Sequence, residues 1–422
     1  MSLKVSKKSI INLMVICIPL CPYKFISVGD KDISAMYLIW GLLILFGMMD
    51  IHDLERSLKK NWIVLVGIGY FIINTFILNV KNIGSILQFV LLWMILLFSY
   101  RRVSENEFQI TIDLFHKVIN ILAIYGIYEF AGRILHLPFS DPWINGMMVD
   151  GYNWYNSEQV GGLVVYRSNG IFVEPSMFSQ YLAINILLYI FASRVGEKRK
   201  TKEIIINAIA LICSFSGTGF LLLLVASIMF SLSKGGVSTL CQVLRKYRFW
   251  VGILVIVAFT IIASPVGSYM FSRLAEFDPT NTKSISGYIR FVGQFNIASE
   301  IWKKSPILGI GIGNVQSFIN EYRMSGSAEA FASLACSMIL ARYAAELGFI
   351  GVVIIVIMYK GFIRKQRTAN PCYKVLLICV IIMIPLCDSG ISVSYWLLLY
   401  LINFDFYPPV EAERGLYGEK ND

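Results

Sequence analysis

The amino-acid sequence predicts an all-α polytopic membrane protein, a single domain over residues 1–422 with about twelve transmembrane helices and two long external loops. Composition is the first reason, because 56% of the residues are hydrophobic and only 15% are charged, whereas soluble domains carry about a quarter charged residues. The second reason is that apolar runs long enough to cross a bilayer as helices recur along the chain. The third is that basic residues cluster in short segments between those runs, as in cytoplasmic loops.

The predicted spans begin with the first apolar run. Lys4, Lys7 and Lys8 precede it, as in a signal peptide, but no A-x-A-like cleavage site follows, so we expect an uncleaved first helix. The runs expected to cross once lie at roughly 10–28, 33–49, 62–79, 83–99, 109–131, 175–194, 250–271, 345–360, 374–388 and 391–406.

The apolar segment 203–232 is too long for one crossing and short for two. Lys200 precedes it and Lys234 follows it, each within a group of basic residues, so both ends are expected on the cytoplasmic side. We therefore expect the segment to go out and back, turning near residues 214–219. With this segment counted as two crossings, both termini are expected in the cytoplasm. The long external loops are then expected at roughly 132–174 and 272–344.

The first external loop contains a cluster of aromatic and amide side chains that includes Asn153, Trp154 and Tyr155. Aromatic rings stack on the C–H faces of sugars while amides bond to hydroxyl groups, so a glycan is a natural ligand. An aromatic belt at the membrane interface is the alternative.

The same loop ends in YRSNGIFVEPS (166–176), where Arg167 and Glu174 bracket Gly170 just before a predicted span. A short turn that enters a helix at Pro175 is a plausible anion site, because helix N-termini present free amides. Glu174 would orient Arg167 or act as a base, and Tyr166 is a candidate for substrate binding.

A second stretch, SISGYIRFVGQFNIASEIWKKSPILGIGIGN (284–314), is patterned like a water-facing helix followed by a tight turn. Arg290 falls in the first turn of that helix, where a guanidinium would grip phosphate bidentately; lying along lipid headgroups is the alternative. The apolar stripe comprises Phe291, Phe295, Ala298 and Trp302, the candidate caps are Ser284 and Ser286, and the turn contains Pro306, Gly309, Gly311 and Gly313.

Further basic residues lie in or next to the second external loop. Lys303 and Lys304 are expected to face lipid headgroups. For Arg342 the alternative to anion binding is an ion pair with Glu346, four residues further along an apolar helix. The arginines retained as candidates for substrate binding are Arg273, Arg323 and Arg342.

Metal, cofactor and nucleic-acid functions are not predicted. The eight cysteines show no CxxC spacing and are interpreted as small buried hydrophobic side chains. The three histidines share no ligand-like spacing. The net charge of +10 arises in short loops, for which anionic lipid headgroups are the expected partners.

Taken together, the two loop stretches resemble the Wzy-type O-antigen polymerases, within the wider O-antigen ligase/polymerase superfamily. In that family an R-x-x-G-x-F-x-E-P-like turn precedes a span, and an R…A…W…P-x-x-G-x-G-x-G segment follows in a second long periplasmic loop. The first motif is matched by Arg167, Gly170, Phe172, Glu174 and Pro175, and the second by Arg290, Ala298, Trp302, Pro306, Gly309, Gly311 and Gly313. The stretch SFSGTGF (214–220) is similar to a Ser-rich turn of the family, without its usual arginine.

One departure separates the polymerase and ligase branches of that superfamily. Ligases carry a histidine at the start of the helix after the second loop, followed by Glu-x-Gly. Glu346 and Gly348 match the latter, but the place of the histidine falls near Ser337. The resemblance therefore favours a polymerase and leaves the general base unassigned, with Glu174 as the candidate and Glu276 or Asp278 as alternatives.

The resemblance implies a metal-independent glycosyltransferase of the bacterial inner membrane. It would polymerise undecaprenyl-pyrophosphate-linked repeat units on the periplasmic face, in lipopolysaccharide or related polysaccharide biosynthesis, with a chain-length regulator as a possible partner. Arg167 and Arg290 would hold the pyrophosphate. A ligase to lipid A core and a lipid-linked oligosaccharide flippase are the alternatives. The flippase is disfavoured because the predicted spans are nearly free of charge and the external loops are long.

Overall fold

The structure, a computed structural model, describes residues 7–21, 23–28, 31–78, 83–141, 147–148, 157–160, 163–172, 174–192, 201–232, 293–324, 338–365, 370–385 and 393–406. These residues form fourteen α-helices and six short β-strands. The helices are α1 (Lys7–Ile16), α2 (Met36–Met49), α3 (Ile51–Lys60), α4 (Trp62–Ile77), α5 (Ile83–Phe98), α6 (Glu105–Leu135), α7 (Pro175–Phe191), α8 (Thr201–Cys213), α9 (Gly217–Ser231), α10 (Gln294–Lys304), α11 (Val315–Met324), α12 (Ile339–Lys365), α13 (Pro371–Met383) and α14 (Val393–Ile402). The strands are β1 (Lys24–Val28), β2 (Lys31–Ser34), β3 (Arg101–Val103), β4 (Ser157–Val160), β5 (Leu163–Tyr166) and β6 (Phe404–Phe406).

Two of the described helices, α6 and α12, are long and apolar enough to cross a membrane. A third span is obtained if α2 and α3, which meet at a bend of 99°, count as one. The shorter apolar helices of the described part have 10–17 residues, or about 15–26 Å of helix against a hydrocarbon core of about 30 Å. The mostly helical class is therefore confirmed. The number of spans stays a prediction, and the expected run at 250–271 lies outside the described residues.

The outer surfaces of several helices carry large apolar side chains. On α2, Leu38, Leu42, Leu45 and Met49 are exposed at spacings of four, three and four residues, whereas Trp40 on the opposite face is fully buried. Comparable exposed side chains occur on α4, α9 and α12. Apolar stripes on so many helices exceed what a soluble protein leaves in water, so they support membrane association.

The first predicted span is wrong in its extent. Helix α1 ends at Ile16, a 3₁₀ turn covers Ile18–Leu20, and the chain then forms the antiparallel hairpin β1–β2. Pro19 lies inside that turn, and proline stops an α-helix because it lacks the amide hydrogen and clashes with the preceding turn. The hairpin contacts the loop after α6 instead, since the Lys24 amide donates to the Met147 carbonyl oxygen over 2.9 Å.

One end of the bundle, which we call the basic end, joins the start of α1, the bend before α3, the link from α5 to α6 and the end of α14. Lys7 pairs with Asp53 at 3.7 Å, and Lys8 pairs with Glu107 at the start of α6 at 2.8 Å. Arg101, only 4% exposed, donates to the last carbonyl groups of α14. Strands β3 and β6 pair in parallel beside it. The basic segments around Lys7 and Arg101 thus meet at this end.

The opposite end, which we call the loop end, holds the turns at 167–172, 214–216 and 305–314. The Ser168 amide donates to the Cys213 carbonyl oxygen at the end of α8 over 3.0 Å. Asn74, near the end of α4, donates its side-chain N–H to the Leu308 carbonyl oxygen over 2.8 Å. Both stretches that matched the family motifs therefore have described residues at the same end of the bundle.

The segment 203–232 breaks where the sequence predicts. Helix α8 ends at Cys213, α9 begins at Gly217, and both helices pack against α7. Gly219 makes the close approach of α9 possible, because a Cβ there would lie 2.5 Å from the Ser179 Cβ. The position of the turn is confirmed, while the crossing of a membrane in both directions stays a prediction.

A buried amide network connects α6, α7 and α8 between the two ends. Asn185 donates its side-chain N–H to the side-chain oxygens of Asn120 and Asn207, at 3.0 Å each. His116 Nδ1 lies 2.6 Å from the Asn185 side-chain oxygen. The interhelical hydrogen bonds give His116 a structural place in the bundle.

Candidate functional site

The predicted anion site is a turn between the β4–β5 hairpin and helix α7. Gly170 has φ +57°, a left-handed conformation that favours glycine, and a Cβ there would lie 3.2 Å from the Phe178 ring. Glu174 is the N-cap residue of α7 and Pro175 is its first residue, as the sequence predicts. The turn therefore leads from Arg167 into a buried helix, with Glu174 at the N-terminus of that helix.

Helix α6 holds this turn with a buried carboxylate. Glu129 is fully buried, and its Oε2 accepts hydrogen bonds from Ser168 Oγ and from the Gly170 amide, both at 2.7 Å. Its Oε1 lies 2.9 Å from Arg133 Nη2. A buried carboxylate is costly unless it is paired and hydrogen-bonded, and here both of its oxygens are engaged.

Arg133 holds the other side of the same turn. Its side chain is 2% exposed, and Nη1 donates to the Arg167 carbonyl oxygen over 3.2 Å. Its Nε pairs with Asp141 Oδ1 at 3.0 Å. Three nitrogens of one guanidinium therefore contact Glu129, Arg167 and Asp141. We call Glu129, Arg133 and Asp141 the clamp.

Bonds within the turn and around it complete its fixation. Asn169 donates its side-chain N–H to the Phe172 carbonyl oxygen over 2.9 Å, and Ser176 Oγ donates to Glu174 Oε2 over 2.7 Å. These bonds within the protein fix the shape of the turn, so an anion that meets Arg167 would meet a preorganised site.

The second stretch contains the predicted helix, but not with the predicted apolar stripe. The Phe295 side chain of α10 is 44% exposed, while Trp302 is partly buried and Phe291 lies outside the described residues. The expectation for Phe295 is wrong because packing against α12 centres the buried face about 100° away from it around the helix. That face consists of Gln294, Ile297, Ala298 and Ile301.

The glycine-rich turn that follows α10 lies backbone to backbone against α12. The Ile310 amide donates to the Ala345 carbonyl oxygen over 3.1 Å, and the Gly311 amide donates to the Glu346 carbonyl oxygen over 2.9 Å. A Cβ on Gly309, whose φ is +69°, would lie 2.6 Å from the Ala345 carbonyl oxygen. This contact explains why a glycine is needed at that position without reference to phosphate.

Helix α12 is kinked where the turn contacts it. Gly348 has φ +61° and ψ −161°, and a Cβ there would lie 2.4 Å from the Ile307 carbonyl oxygen. The kink frees backbone groups of α12, and the turn supplies partners for them. The Phe349 amide donates to the Pro306 carbonyl oxygen over 2.9 Å, and Tyr70 Oη donates to the Leu347 carbonyl oxygen over 2.7 Å.

Arg342 and Trp302 both make contacts that hold the protein together. Arg342 Nε lies 3.1 Å from Glu346 Oε1, which also accepts from the Gly313 amide over 3.0 Å. Trp302 donates its indole N–H to the Ala344 carbonyl oxygen over 2.6 Å. The ion-pair alternative for Arg342 is therefore confirmed, and substrate binding by either residue stays a prediction.

Comparisons with known proteins identify no family. No protein-family model matches the sequence, and no curated protein matches it. The resemblance to the polymerases therefore rests on the residues of the two loop stretches alone.

The remaining predicted residues are distributed as follows. Tyr166, at the end of β5, pairs with Ser157 across the hairpin. Arg323 lies on α11. The residues that lie outside the described part of the chain are Asn153, Trp154, Tyr155, Arg273, Glu276, Asp278, Ser284, Ser286, Arg290 and Ser337.

Residues with metal-binding side chains do not converge in the described part of the chain, where no group of three or more His, Cys, Asp or Glu residues could hold an ion. Two Arg–Glu pairs lie in the apolar parts of its long helices α6 and α12. In each pair the arginine and the glutamate lie four residues apart on one helix. The glutamate of each pair also accepts a hydrogen bond from a backbone amide of a neighbouring turn.

The clamp is a feature next to the predicted anion site that the sequence did not predict. Glu129 and Arg133 lie four residues apart at the end of an apolar run, which is the one signal that could have found them. The expectation of nearly uncharged spans is corrected accordingly, because α6 carries Glu129 and Arg133, and α12 carries Arg342 and Glu346.

Proposed function

We propose that the protein is a membrane glycosyltransferase that polymerises undecaprenyl-pyrophosphate-linked oligosaccharide repeat units into O-antigen or a related surface polysaccharide. The observation that carries the proposal is the turn at 167–175, which matches the first motif of the polymerase family. Hydrogen bonds from α6 and α8 fix the shape of this turn, and α7 begins directly after it at the loop end. A turn that is preorganised around an arginine, as this one is around Arg167, suits the stabilisation of a departing anion.

The proposal places the loop end on the periplasmic face of the bacterial inner membrane and both termini in the cytoplasm, with about twelve spans. Support comes from the ion pairs of Lys7 and Lys8 and from buried Arg101, which lie together at the basic end. By the positive-inside rule that end is cytoplasmic. The motif-bearing turns are at the opposite end and would face the periplasm.

In the proposed reaction, a hydroxyl oxygen on the non-reducing sugar of the acceptor attacks the anomeric carbon of the donor glycan. The new glycosidic bond forms as the bond from that carbon to the pyrophosphate oxygen breaks. The lipid pyrophosphate leaves with the electron pair, and Arg167 and Arg290 stabilise its charge. The hydroxyl proton passes to a base, for which Glu174, at the N-cap of α7, is the candidate.

Substrate recognition would come from both loops. Asn153, Trp154, Tyr155 and Tyr166 are proposed to bind sugars, and Trp302, Arg273, Arg323 and Arg342 to line the acceptor and carrier site. The exposed apolar stripes would face membrane lipids. A chain-length regulator would be a further partner.

A lipid-linked oligosaccharide flippase is the second candidate, and the buried Arg–Glu pairs in α6 and α12 favour it, because ionisable residues inside spans are typical of transporters. A ligase differs from a polymerase only in its acceptor, which would be lipid A core.

The test is an assay of the purified protein in detergent with lipid-linked repeat units as the sole substrate. A polymerase makes a ladder of chain lengths without any other acceptor. A ligase leaves single units until lipid A core is added, and then transfers them to it. A flippase changes no glycan length under either condition, so that result would refute the proposed function.

A further inference from the structure

The clamp is an unusual feature for the interior of an apolar helix bundle. Replacing a buried ion pair with apolar side chains of similar size is often neutral or stabilising, so Glu129 and Arg133 are not explained by stability alone. What apolar side chains cannot do is bond to the polar backbone of a neighbouring turn. The clamp does form hydrogen bonds with the backbone of a neighbouring turn.

The clamp also contacts the turn that begins at Arg167. Arg133 binds the Arg167 carbonyl oxygen, and Glu129 binds Ser168 Oγ and the Gly170 amide. Helix α6 therefore forms hydrogen bonds with three of the four residues from 167 to 170. Tight packing below the turn adds to this, because a Cβ on Gly126 of α6 would lie 2.5 Å from the Phe178 ring.

Asp141 contacts Arg133 from the more exposed side of the clamp. Its side chain is 42% exposed, whereas those of Glu129 and Arg133 are 0% and 2% exposed. The guanidinium is therefore held between a buried and a partly exposed carboxylate. In that geometry it cannot shift without breaking its bond to Arg167.

We propose that Glu129 and Arg133 are positioning residues for the reaction at Arg167, an inference that rests on the proposed glycosyltransferase function. They act through the backbone of the turn and touch no substrate. Their loss lowers the rate of the chemical step more than it weakens substrate binding, because it displaces a group whose interaction grows in the transition state.

Glu129→Gln preserves the size of the side chain but removes the charge opposite Arg133, and it places a donor where only acceptors fit. Arg133→Lys keeps the charge but loses the three-sided contact. For both variants we expect kcat to fall about tenfold or more, with KM changed less than about threefold. Glu105→Gln, at the exposed opposite end of α6, makes the same chemical change and serves as the matched control.

Two measurements test the inference on full-length protein in detergent. The first is kcat for chain extension by the wild type, Glu129→Gln, Arg167→Ala and the double variant. If Glu129 acts through Arg167, adding Glu129→Gln to Arg167→Ala costs no further activity. The second is hydrogen–deuterium exchange of residues 166–172, which needs no activity and should be faster in Glu129→Gln, because a neutral amide no longer forms the ion pair with Arg133 and has one acceptor oxygen fewer, which weakens its hold on the Gly170 amide.

The outcomes separate this inference from the proposed function. A wild-type protein that extends no glycan refutes the function, while the exchange result still tests the contact from Glu129 to the turn. If the wild type is active, unchanged kcat in Glu129→Gln or additive losses in the double variant overturn the inference. Unchanged exchange in that variant also overturns it.

Discussion

Trp302 donates its indole N–H to the carbonyl oxygen of Ala344 over 2.6 Å. The bond joins α10 to α12 four residues before the kink at Gly348, in the same contact as the glycine-rich turn. A tryptophan that matches a family motif thus has a structural partner in the main chain. Its role in the fold and its role with substrate can be separated experimentally.

Replacing Trp302 with Phe keeps an aromatic ring but removes the donor. We expect the free energy of unfolding to fall by about 0.5–1.5 kcal/mol, the net contribution of one hydrogen bond, because this bond is only partly buried. The measurement is the thermal unfolding midpoint in detergent, with Trp62→Phe on α4, where the side chain is 54% exposed, as the control. Equal midpoints for the two variants would contradict the structural role.

Gly309 and Gly348 are expected to tolerate no side chain. Alanine at either site combines a left-handed conformation with a backbone oxygen closer than 3 Å to the new Cβ, and strained conformations alone cost about 1–3 kcal/mol each. Both variants should lose folded protein in size-exclusion chromatography. Gly361→Ala, on the same helix with nothing within 4 Å of its Cβ, should behave like the wild type. A stable Gly309→Ala variant would show that the turn does not pack against α12.

Removing Arg342 leaves the carboxylate of Glu346 buried, since Glu346 is 1% exposed. Arg342→Met should therefore lower the free energy of unfolding by about 3–5 kcal/mol. Adding Glu346→Gln removes the stranded charge and should recover part of that loss in the same unfolding assay. If the double variant is less stable than Arg342→Met, the ion pair between Arg342 and Glu346 does not account for the loss of stability.

The sequence predicted those features that depend on local chemistry. The segment 203–232 turns near residues 214–219 as expected, Pro175 marked the start of α7, and the spacing of Arg342 and Glu346 indicated their pair. Features that depend on tertiary packing were missed. The exposed position of Phe295 follows from contact with α12, and the clamp depends on a turn about forty residues away along the chain.

Membrane topology can be tested independently of activity. Reporter fusions at Asn153 and Asn281 should report the periplasm, and fusions at Lys200, Arg245 and Arg367 should report the cytoplasm. Opposite sides for Lys200 and Arg245 would show that 203–232 does not go out and back. The assignment of the loop end to the periplasm would then fail.

Arg167 and Arg290 are proposed to stabilise one pyrophosphate, so their variants should behave alike. Charge-assisted hydrogen bonds contribute about 1.5–3 kcal/mol each, which corresponds to a rate change of about ten- to a hundredfold or more. Replacing either arginine with lysine should also lower the reaction rate, because an ammonium group lacks the planar fork of the guanidinium. Joint removal should cost less than the sum of the single losses.

The most direct measurement is the length distribution of glycans made by Arg167→Ala at a membrane protein level equal to that of the wild type. We expect single repeat units from this variant and from Arg290→Ala, and long chains from the wild type. Long chains from both alanine variants would contradict it, and would show that these arginines are headgroup anchors and that the active site lies elsewhere.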